Sequence, residues 1–296
     1  MSGESGWARV WQAAGDTLSL DAASQRQASR DDQVIRQAVS LMRRLDLVSL
    51  TGHTGCTQIS ARLAVLLAHR RGTRVLAVDA GPNPDLSALT RAQTPTGPEP
   101  PDAQGPVGGA GHAPGLSQHS LHAPLRVADL DQATSGIGTG TGGLRLLRPP
   151  VPPGVTVTPG DWRAAVMPVA PYFDVITTDW GQRSPGLDLE LVIPGSDGIA
   201  LVCRADRYSL EQAITVAEAL AQQVGCTVCA VDLDHTGPTA ARLAATRWTT
   251  IPVWYMPRLA HPNQAIPARG ARACVIGVGA ALMGYATGVD RGGSCG

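Results

Sequence analysis

Residues 45 to 67 limit the fold more than any other stretch of the chain. Leu45 to Leu50 is an apolar run of strand length. Thr51 to Thr57 then reads Thr-Gly-His-Thr-Gly-Cys-Thr, and Ile59, Leu63, Leu66 and Leu67 recur at the spacing of one helix face. A strand, a small-residue loop and a helix in that order aim backbone N–H groups and a positive helix end at one point, the arrangement that holds phosphate. The lysine such a loop carries after its last glycine is here Cys56. The cradle keeps its shape and lacks its main charge.

The same alternation runs through the rest of the chain. Asp31 to Leu45 reads as a helix with Val34, Ala38, Leu41 and Leu45 on one face. Arg74 to Asp79 is an apolar run ending in a carboxylate, which suits a buried parallel strand. Leu144 to Leu147, Phe173 to Asp179, Gly198 to Cys203, Thr227 to Leu233 and Ile251 to Met256 are further strands. One helix begins near Asp161. Another opens at a capping box, Ser209-Leu-Glu-Gln212, and carries Leu210, Ile214, Ala217 and Leu220 on its apolar face. Pro238 suits a first helical turn, and a last helix spans about Arg272 to Tyr285. Strands alternating with helices predict an α/β, doubly wound fold, with a mostly parallel sheet covered by helices on both faces. Ligands bind such sheets at the carboxyl ends of the strands, where Thr51 to Thr57, Asp79 and Asp179 gather.

At 296 residues, 43% of them hydrophobic, the chain has enough material for a large buried core, while 34 glycines and 23 prolines imply long loops. The expected organisation is a tail and helix over 1–44 and a P-loop NTPase-like domain over 45–296. About 91–124 is a Pro/Gly-rich disordered insertion with hardly any large apolar residue to offset its ordering entropy. Order resumes near Leu125 to Leu130. Lysine plus arginine and aspartate plus glutamate balance at 24 each, so no net field draws nucleic acid or anionic membrane. Six cysteines do not make a disulfide framework in a chain this long. The first thirty residues lack an apolar signal core, and Cys274 to Val289 reads as a packed helix rather than a span, which needs roughly 20 apolar residues. The expected location is cytoplasmic.

Several tempting motifs have plainer readings. Cys226 and Cys229 fall on a strand at odd spacing, so they face opposite sides of the sheet and belong to its core. His53 and Cys56 have no further ligands at zinc-like spacing. Cys56 is either a small semi-buried residue or a thiol whose pKa the helix N-terminus lowers. Ser135 to Gly143 has no clean strand before it and reads as a flexible turn rather than a dinucleotide loop. Trp7 and Trp11, four apart, form one stripe on a helix, for docking within the chain or for anchoring a partner.

The loop after the first strand, Asp79 after the second and Asp179 after a later one are the parts of a phosphate-handling site. In order and spacing they resemble the MinD/ParA (deviant Walker A) P-loop family, and within it the EspI-type ParA-like proteins associated with actinobacterial type VII (ESX) secretion. The resemblance is carried by Gly-Trp-Ala-Arg-Val-Trp (6 to 11), Leu-Thr-Gly-His-Thr-Gly-Cys-Thr (50 to 57) and Arg-Val-Leu-Ala-Val-Asp-Ala-Gly-Pro (74 to 82). Phe-Asp-Val-Ile-Thr-Thr-Asp-Trp-Gly (173 to 181) and Pro-Val-Trp-Tyr-Met-Pro-Arg (252 to 258) complete it. It implies nucleotide contacts at Gly52, Gly55, Cys56, Thr57, Asp79 and Asp179, with Mg²⁺ held by Thr57 and Asp179. It also marks the departures. Thr51 replaces the lysine that crosses to a partner's phosphates, His53 the second loop glycine and Cys56 the phosphate-binding lysine. Gly81 replaces the second acid of an Asp-x-Asp pattern, and Asp232 the asparagine that faces adenine.

A charge-assisted contact to phosphate contributes about 1.5–3 kcal/mol to binding, and a phosphoryl-transfer transition state leans on such charges far more. The resemblance therefore implies a protein that does not hydrolyse ATP, binds ATP or ADP with Mg²⁺ weakly or not at all, and forms no ATP-driven dimer. Its expected role is a scaffold or regulator for protein partners, secretion-system components among them. Two alternatives stand beside it. One is a weakly active ATPase with a cation supplied from Arg62 or a partner. The other is a positioning or partitioning factor for DNA or membrane, which the zero net charge and the non-basic tail from Gly284 to Gly296 disfavour.

Overall fold

Apolar runs of five to eight residues, too short for stable helices, become strands where both of their faces are covered. The computed structural model describes residues 26–71, 74–82, 85–86, 89–90, 137–152, 154–186, 188–234, 237–257 and 269–288. A helix over 26–36 (α1) precedes strand β1 (Arg43–Ser49), helix α2 (Cys56–Arg71) and strand β2 (Val75–Asp79). Strands β3 (Gly138–Thr139) and β4 (Leu144–Leu147) lead to helix α3 (Pro159–Val166) and strand β5 (Val175–Gln182). Helix α4 (Leu189–Val192), strand β6 (Gly198–Arg204), helix α5 (Arg207–Leu220) and strand β7 (Gly225–Val231) follow. Helix α6 (Thr239–Leu243) continues as a π-helical turn over Ala244–Trp248, before strand β8 (Val253–Met256) and helix α7 (Arg269–Thr287). The expected insertion over about 91–124, the resumption near 125–130, and Trp7 and Trp11 lie outside the described residues.

Among the described residues the strands form one sheet in the order β3-β4-β2-β5-β1-β6-β7-β8. Every pairing is parallel except that of β3 with β4. Alternate side chains feed two cores. Leu45, Leu47, Val75 and Ala77 pack with Ile35 of α1 and with α2 and α7, while Val48, Leu76 and Val78 pack with α3, α5 and α6. The fold is therefore α/β and doubly wound, as the alternation predicts. Of the described helices only α7 is apolar and long enough to cross a membrane, and 72% of that stretch is buried in the protein's own core. Cys226 and Cys229 enter opposite cores, as their spacing requires.

Three local expectations are corrected. The helix expected over Asp31 to Leu45 ends at residue 36, because Arg43 to Leu47 pair with β5 from Arg43 opposite Val175 onward. Leu45 therefore belongs to the strand, and Leu41 is 70% exposed rather than on a buried face. The cap of α5 is Asp206 and not Ser209. Its Oδ1 accepts from the Ser209 amide at 2.9 Å and its Oδ2 from the Ser209 hydroxyl at 2.8 Å, which makes Ser209 the third helical residue. The glycine-threonine patch is not simply a turn. Gly138 and Thr139 pair antiparallel with Leu146 and Arg145, and Gly142 and Gly143 supply the positive φ of the reversal.

Candidate functional site

The strand order reverses around β1, whose neighbours are β5 and β6, and the site lies beyond the carboxyl ends of β1, β2 and β5. Thr51 to Gly55 leave β1 as an open loop with His53 at φ 57° and Gly55 at φ 84°. Gly55 then starts α2, its carbonyl accepting from the Ile59 amide at 3.0 Å. His53 keeps the left-handed conformation for which a glycine is ordinarily used, so this part of the cradle's backbone survives the substitution. Gly52 is closely approached without needing a positive φ. A Cβ there would lie 3.0 Å from Oε1 of Gln182, which is tucked against the loop.

β5 is built to meet that loop. Leu47 of β1 is opposite Asp179, but Ser49 is opposite Gln182, so β5 carries one extra residue, a bulge at Trp180 and Gly181. Gly181 has φ 63°, and its amide donates to Asp179 Oδ1 at 3.0 Å. Ser49 Oγ donates to the Gly181 carbonyl at 3.2 Å, and the Arg183 amide donates to the Ser49 carbonyl at 2.8 Å. A Cβ on Gly181 would come within 3.1 Å of Pro82 and 3.3 Å of Gly81. Only a glycine lets the ends of β2 and β5 close up in this way.

Asp79 and Asp179 are register partners and point to the α2 side of the sheet, as do Val75, Ala77 and Val175. Both are buried. Burial pushes Asp179 above the usual carboxylate range, against hydrogen bonds from the Thr57 hydroxyl, the Gly181 amide and the Cys56 thiol. Burial and then the neighbouring Asp179 push Asp79 up to about 6, partly offset by Arg148 and by the Leu86 and Gly81 amides. Cys56 Sγ donates to Asp179 Oδ1 at 3.4 Å. Its thiol is raised well above its usual value by burial and by Asp179, so it is a neutral donor. Of the two readings of Cys56, the structure favours the small buried residue, since burial first and the facing Asp179 second both act against the lowering a helix end would give.

The sequence candidates thus come together: Gly52, Gly55, Cys56 and Thr57 in the loop, and Asp79 and Asp179 beneath it. Their donor set suits a small hard cation only in part. Asp179 Oδ2 and Asp79 Oδ1 are buried oxygens without a hydrogen-bond partner, and Thr57 contributes a hydroxyl. Among the described residues no group of three or more His, Cys, Asp or Glu gathers, so Mg²⁺ at Thr57 and Asp179 would need phosphate or water oxygens to complete its shell. Asp232 ends β7 and is held elsewhere, accepting from the Tyr255 hydroxyl at 2.7 Å and the Gly237 amide at 3.1 Å.

The missing charge has no lysine to replace it, because all 24 basic residues are arginines. Arg62, the sequence candidate, pairs with neither strand-end acid. It is buried in α2, its pKa lowered by burial alone, and it makes no ion pair among the described residues. Two other arginines stand at the site, and the sequence did not single them out. Arg183 donates Nε to the Trp180 carbonyl at 3.1 Å and Nη2 to the carbonyls of Ala80 at 3.1 Å and Val157 at 2.8 Å, tying three segments together. Arg148 follows β4, the neighbour of β2, and places Nη1 3.4 Å from Asp79 Oδ1. The strand Leu144 to Leu147 was legible, but its place beside β2 was not.

A strand, a glycine-bearing loop and a helix N-terminus above two strand-end carboxylates define the class: a P-loop α/β fold. Comparison with solved structures makes the class narrower. The septum site-determining protein MinD of Pyrococcus horikoshii, solved with Mg-ADP, superposes with a TM-score of 0.51 over 85% of this chain and 97% of its own, at 17% identity. The MinD cell division protein of Aquifex aeolicus gives 0.52 over 82% and 97%, at 15%. A Cyanothece McdA(D38A)-ATP complex gives 0.50 over 82% and 97%, at 15%. The fold is that of the MinD/ParA-like P-loop ATPases. No protein-family model and no curated protein sequence matches the chain.

Proposed function

We propose that this chain is a non-hydrolysing MinD/ParA-like protein, a cytoplasmic scaffold or regulator that uses the ATPase fold to contact protein partners. The observation that carries the reading is the loop itself. Cys56 stands at the head of α2 as a neutral, buried thiol bonded to Asp179, and the chain holds no lysine to take the lost role. Phosphoryl transfer depends on positive charge around the phosphates, and the buried acids at the strand ends supply the opposite sign. The partner class is components of a type VII secretion system, a proposal that rests on the motif resemblance. The direct test is phosphate release by the purified full chain with MgATP. No turnover above background is expected, and robust hydrolysis would overturn the reading. Light scattering should give the same mass with and without ATP, since no lysine is available to reach across a dimer. Co-purification with type VII components tests the pathway separately.

A second reading, a weakly active ATPase, has one observation in its favour: an arginine does stand beside Asp79. Slow turnover abolished by Arg148→Ala would select it.

A further inference from the structure

We propose that Arg148 is the cation that meets the phosphate tail of a nucleotide in this site, in place of the absent loop lysines. The inference deepens the reading above and rests on it.

The charges near the strand ends do not close on themselves. Arg148 Nη1 lies 3.4 Å from Asp79 Oδ1 and 3.5 Å from the Gly81 carbonyl, yet Asp79 Oδ1 has no hydrogen bond and Arg148 Nη2 is buried without one. The guanidinium sits beside the acid without being consumed by it. Asp179 Oδ2 and the hydroxyl of Thr54, a loop residue only 1% exposed, are likewise buried and unpartnered. Around the register pair Asp79 and Asp179, two carboxylate oxygens and one guanidinium nitrogen are therefore left open, with the Thr54 hydroxyl open in the loop between β1 and α2, where buried polar groups ordinarily find partners. A lone anion would leave the acceptors open, and a lone cation would leave the donors open. A divalent cation with its phosphate satisfies both: the metal at the carboxylate oxygens, the phosphate oxygens at Arg148 and Thr54. The guanidinium fork suits phosphate geometry.

Among the described residues, Arg183 and Arg62 are the other arginines to weigh. Arg183 spends its Nε and Nη2 on three carbonyls and stacks 4.9 Å over Trp180. Arg62 also leaves Nε and Nη1 buried without partners, but it stands beside neither strand-end acid: it forms no ion pair among the described residues, and no neighbouring carboxylate contributes to its lowered pKa. Arg148 is 24% exposed along its side chain, so it is not sealed in the core as Arg62 is.

The test uses the full chain with Mg²⁺ and a fluorescent ATP analogue, displaced by ATP and by tripolyphosphate. Arg148→Ala should weaken both competitors by about tenfold or more, while Arg148→Lys, which keeps the charge, should stay within about threefold of the parent. The salt dependence of binding should flatten in Arg148→Ala, an effect that a purely structural role would not produce. If Arg148→Ala does not fold, Arg148→Gln carries the same comparison. Affinity and salt dependence unchanged in the variant overturn the inference. A parent chain that binds neither competitor also overturns it and leaves the scaffold reading standing. Robust hydrolysis by the parent overturns the scaffold reading, and Arg148 is then judged on affinity alone.

Discussion

Two clusters of buried charge lie on opposite faces of the same sheet, and they are solved differently. Beneath α3, Arg44 of β1 donates Nε to Asp46 Oδ1 at 3.2 Å, Nη1 to the Pro194 carbonyl at 3.2 Å and Nη2 to the Val192 carbonyl at 3.0 Å. Its guanidinium lies 4.1 Å from the Trp162 ring centroid and 5.6 Å from that of Trp180. One cation meets one anion and each guanidinium nitrogen reaches an acceptor, with Asp46 Oδ2, 3.0 Å from Arg44 Nη2, held by charge rather than by a directed hydrogen bond. On the α2 face, two carboxylates and a thiol crowd one strand end with Arg148 to the side, and polar atoms of both signs stay unpaired. The difference is in charge balance: the closed, architectural cluster pairs one cation with one anion at 3.0 Å, whereas the open strand-end site sets two buried acids against one arginine at 3.4 Å and leaves a guanidinium nitrogen unpaired.

The closed cluster makes the largest prediction. Arg44→Ala strands Asp46, which is fully buried and already raised by desolvation, so it should cost about 3–5 kcal/mol in urea unfolding. Replacing both members, Arg44→Met with Asp46→Leu, should cost less than the single change, because no charge is then left alone. A loss below about 1 kcal/mol for Arg44→Ala would erase the contrast between the clusters.

The open cluster makes the next one, with a pH signature. Asp79 is raised from 3.8 to about 6, so its neutral form is favoured in the folded state. Its contribution to stability is fully present below about pH 4 and is lost as pH rises through 6. Ionised Asp79 then costs roughly 3 kcal/mol at pH 8. Asp79→Asn should therefore unfold at higher urea than the parent at pH 8, by up to that amount, with the gap closing toward pH 4. A gap independent of pH would mean that this carboxylate is no less comfortable than one in water.

The two clusters also differ in how much of them the sequence reveals. The open site follows a rule of position: a loop between strand and helix, and acids at strand ends. Gly52, Gly55, Thr57, Asp79 and Asp179 were legible because each claim needs only neighbours in sequence. Arg148 was not, since its role depends on β4 lying beside β2, a pairing across more than sixty residues. The closed cluster was missed altogether. Arg44 and Leu45 fit a helical repeat as well as a strand, and period alone could not place the boundary that pairing with β5 imposes. The cap at Asp206 shows the same limit at short range, because Asp206 and Ser209 both offer capping chemistry and only geometry ranks them.

Restoring charge sharpens the open site in the other direction. Thr51→Lys with Cys56→Lys should raise MgATP affinity by roughly tenfold or more, at about 1.5–3 kcal/mol for a charge-assisted contact. Calorimetry on the double variant reads this directly. Thr51 is exposed, whereas Cys56 is 5% exposed and faces Asp179, so most of any folding cost should come from Cys56→Lys alone. No gain in affinity would mean that the cradle has lost its shape as well as its charge.

The smallest effect separates those two possibilities. His53 is exposed and holds φ 57°, a conformation that costs a side-chain-bearing residue about 1–2 kcal/mol and glycine nothing. Glycine gives back about 0.5–1 kcal/mol of that in unfolded-chain entropy. His53→Gly should therefore stabilise the chain by no more than about 1.5 kcal/mol. Because the backbone already sits where a glycine would place it, MgATP affinity should shift by less than about threefold, while His53→Val, branched at Cβ, should destabilise. A large gain in affinity from His53→Gly would show that the side chain blocks the phosphate position, and the loop's weakness would then be steric as well as electrostatic. Unchanged affinity together with the small stability gain would leave charge as the sole deficit of this loop, and would put the weight of any remaining nucleotide binding on the arginine beside Asp79.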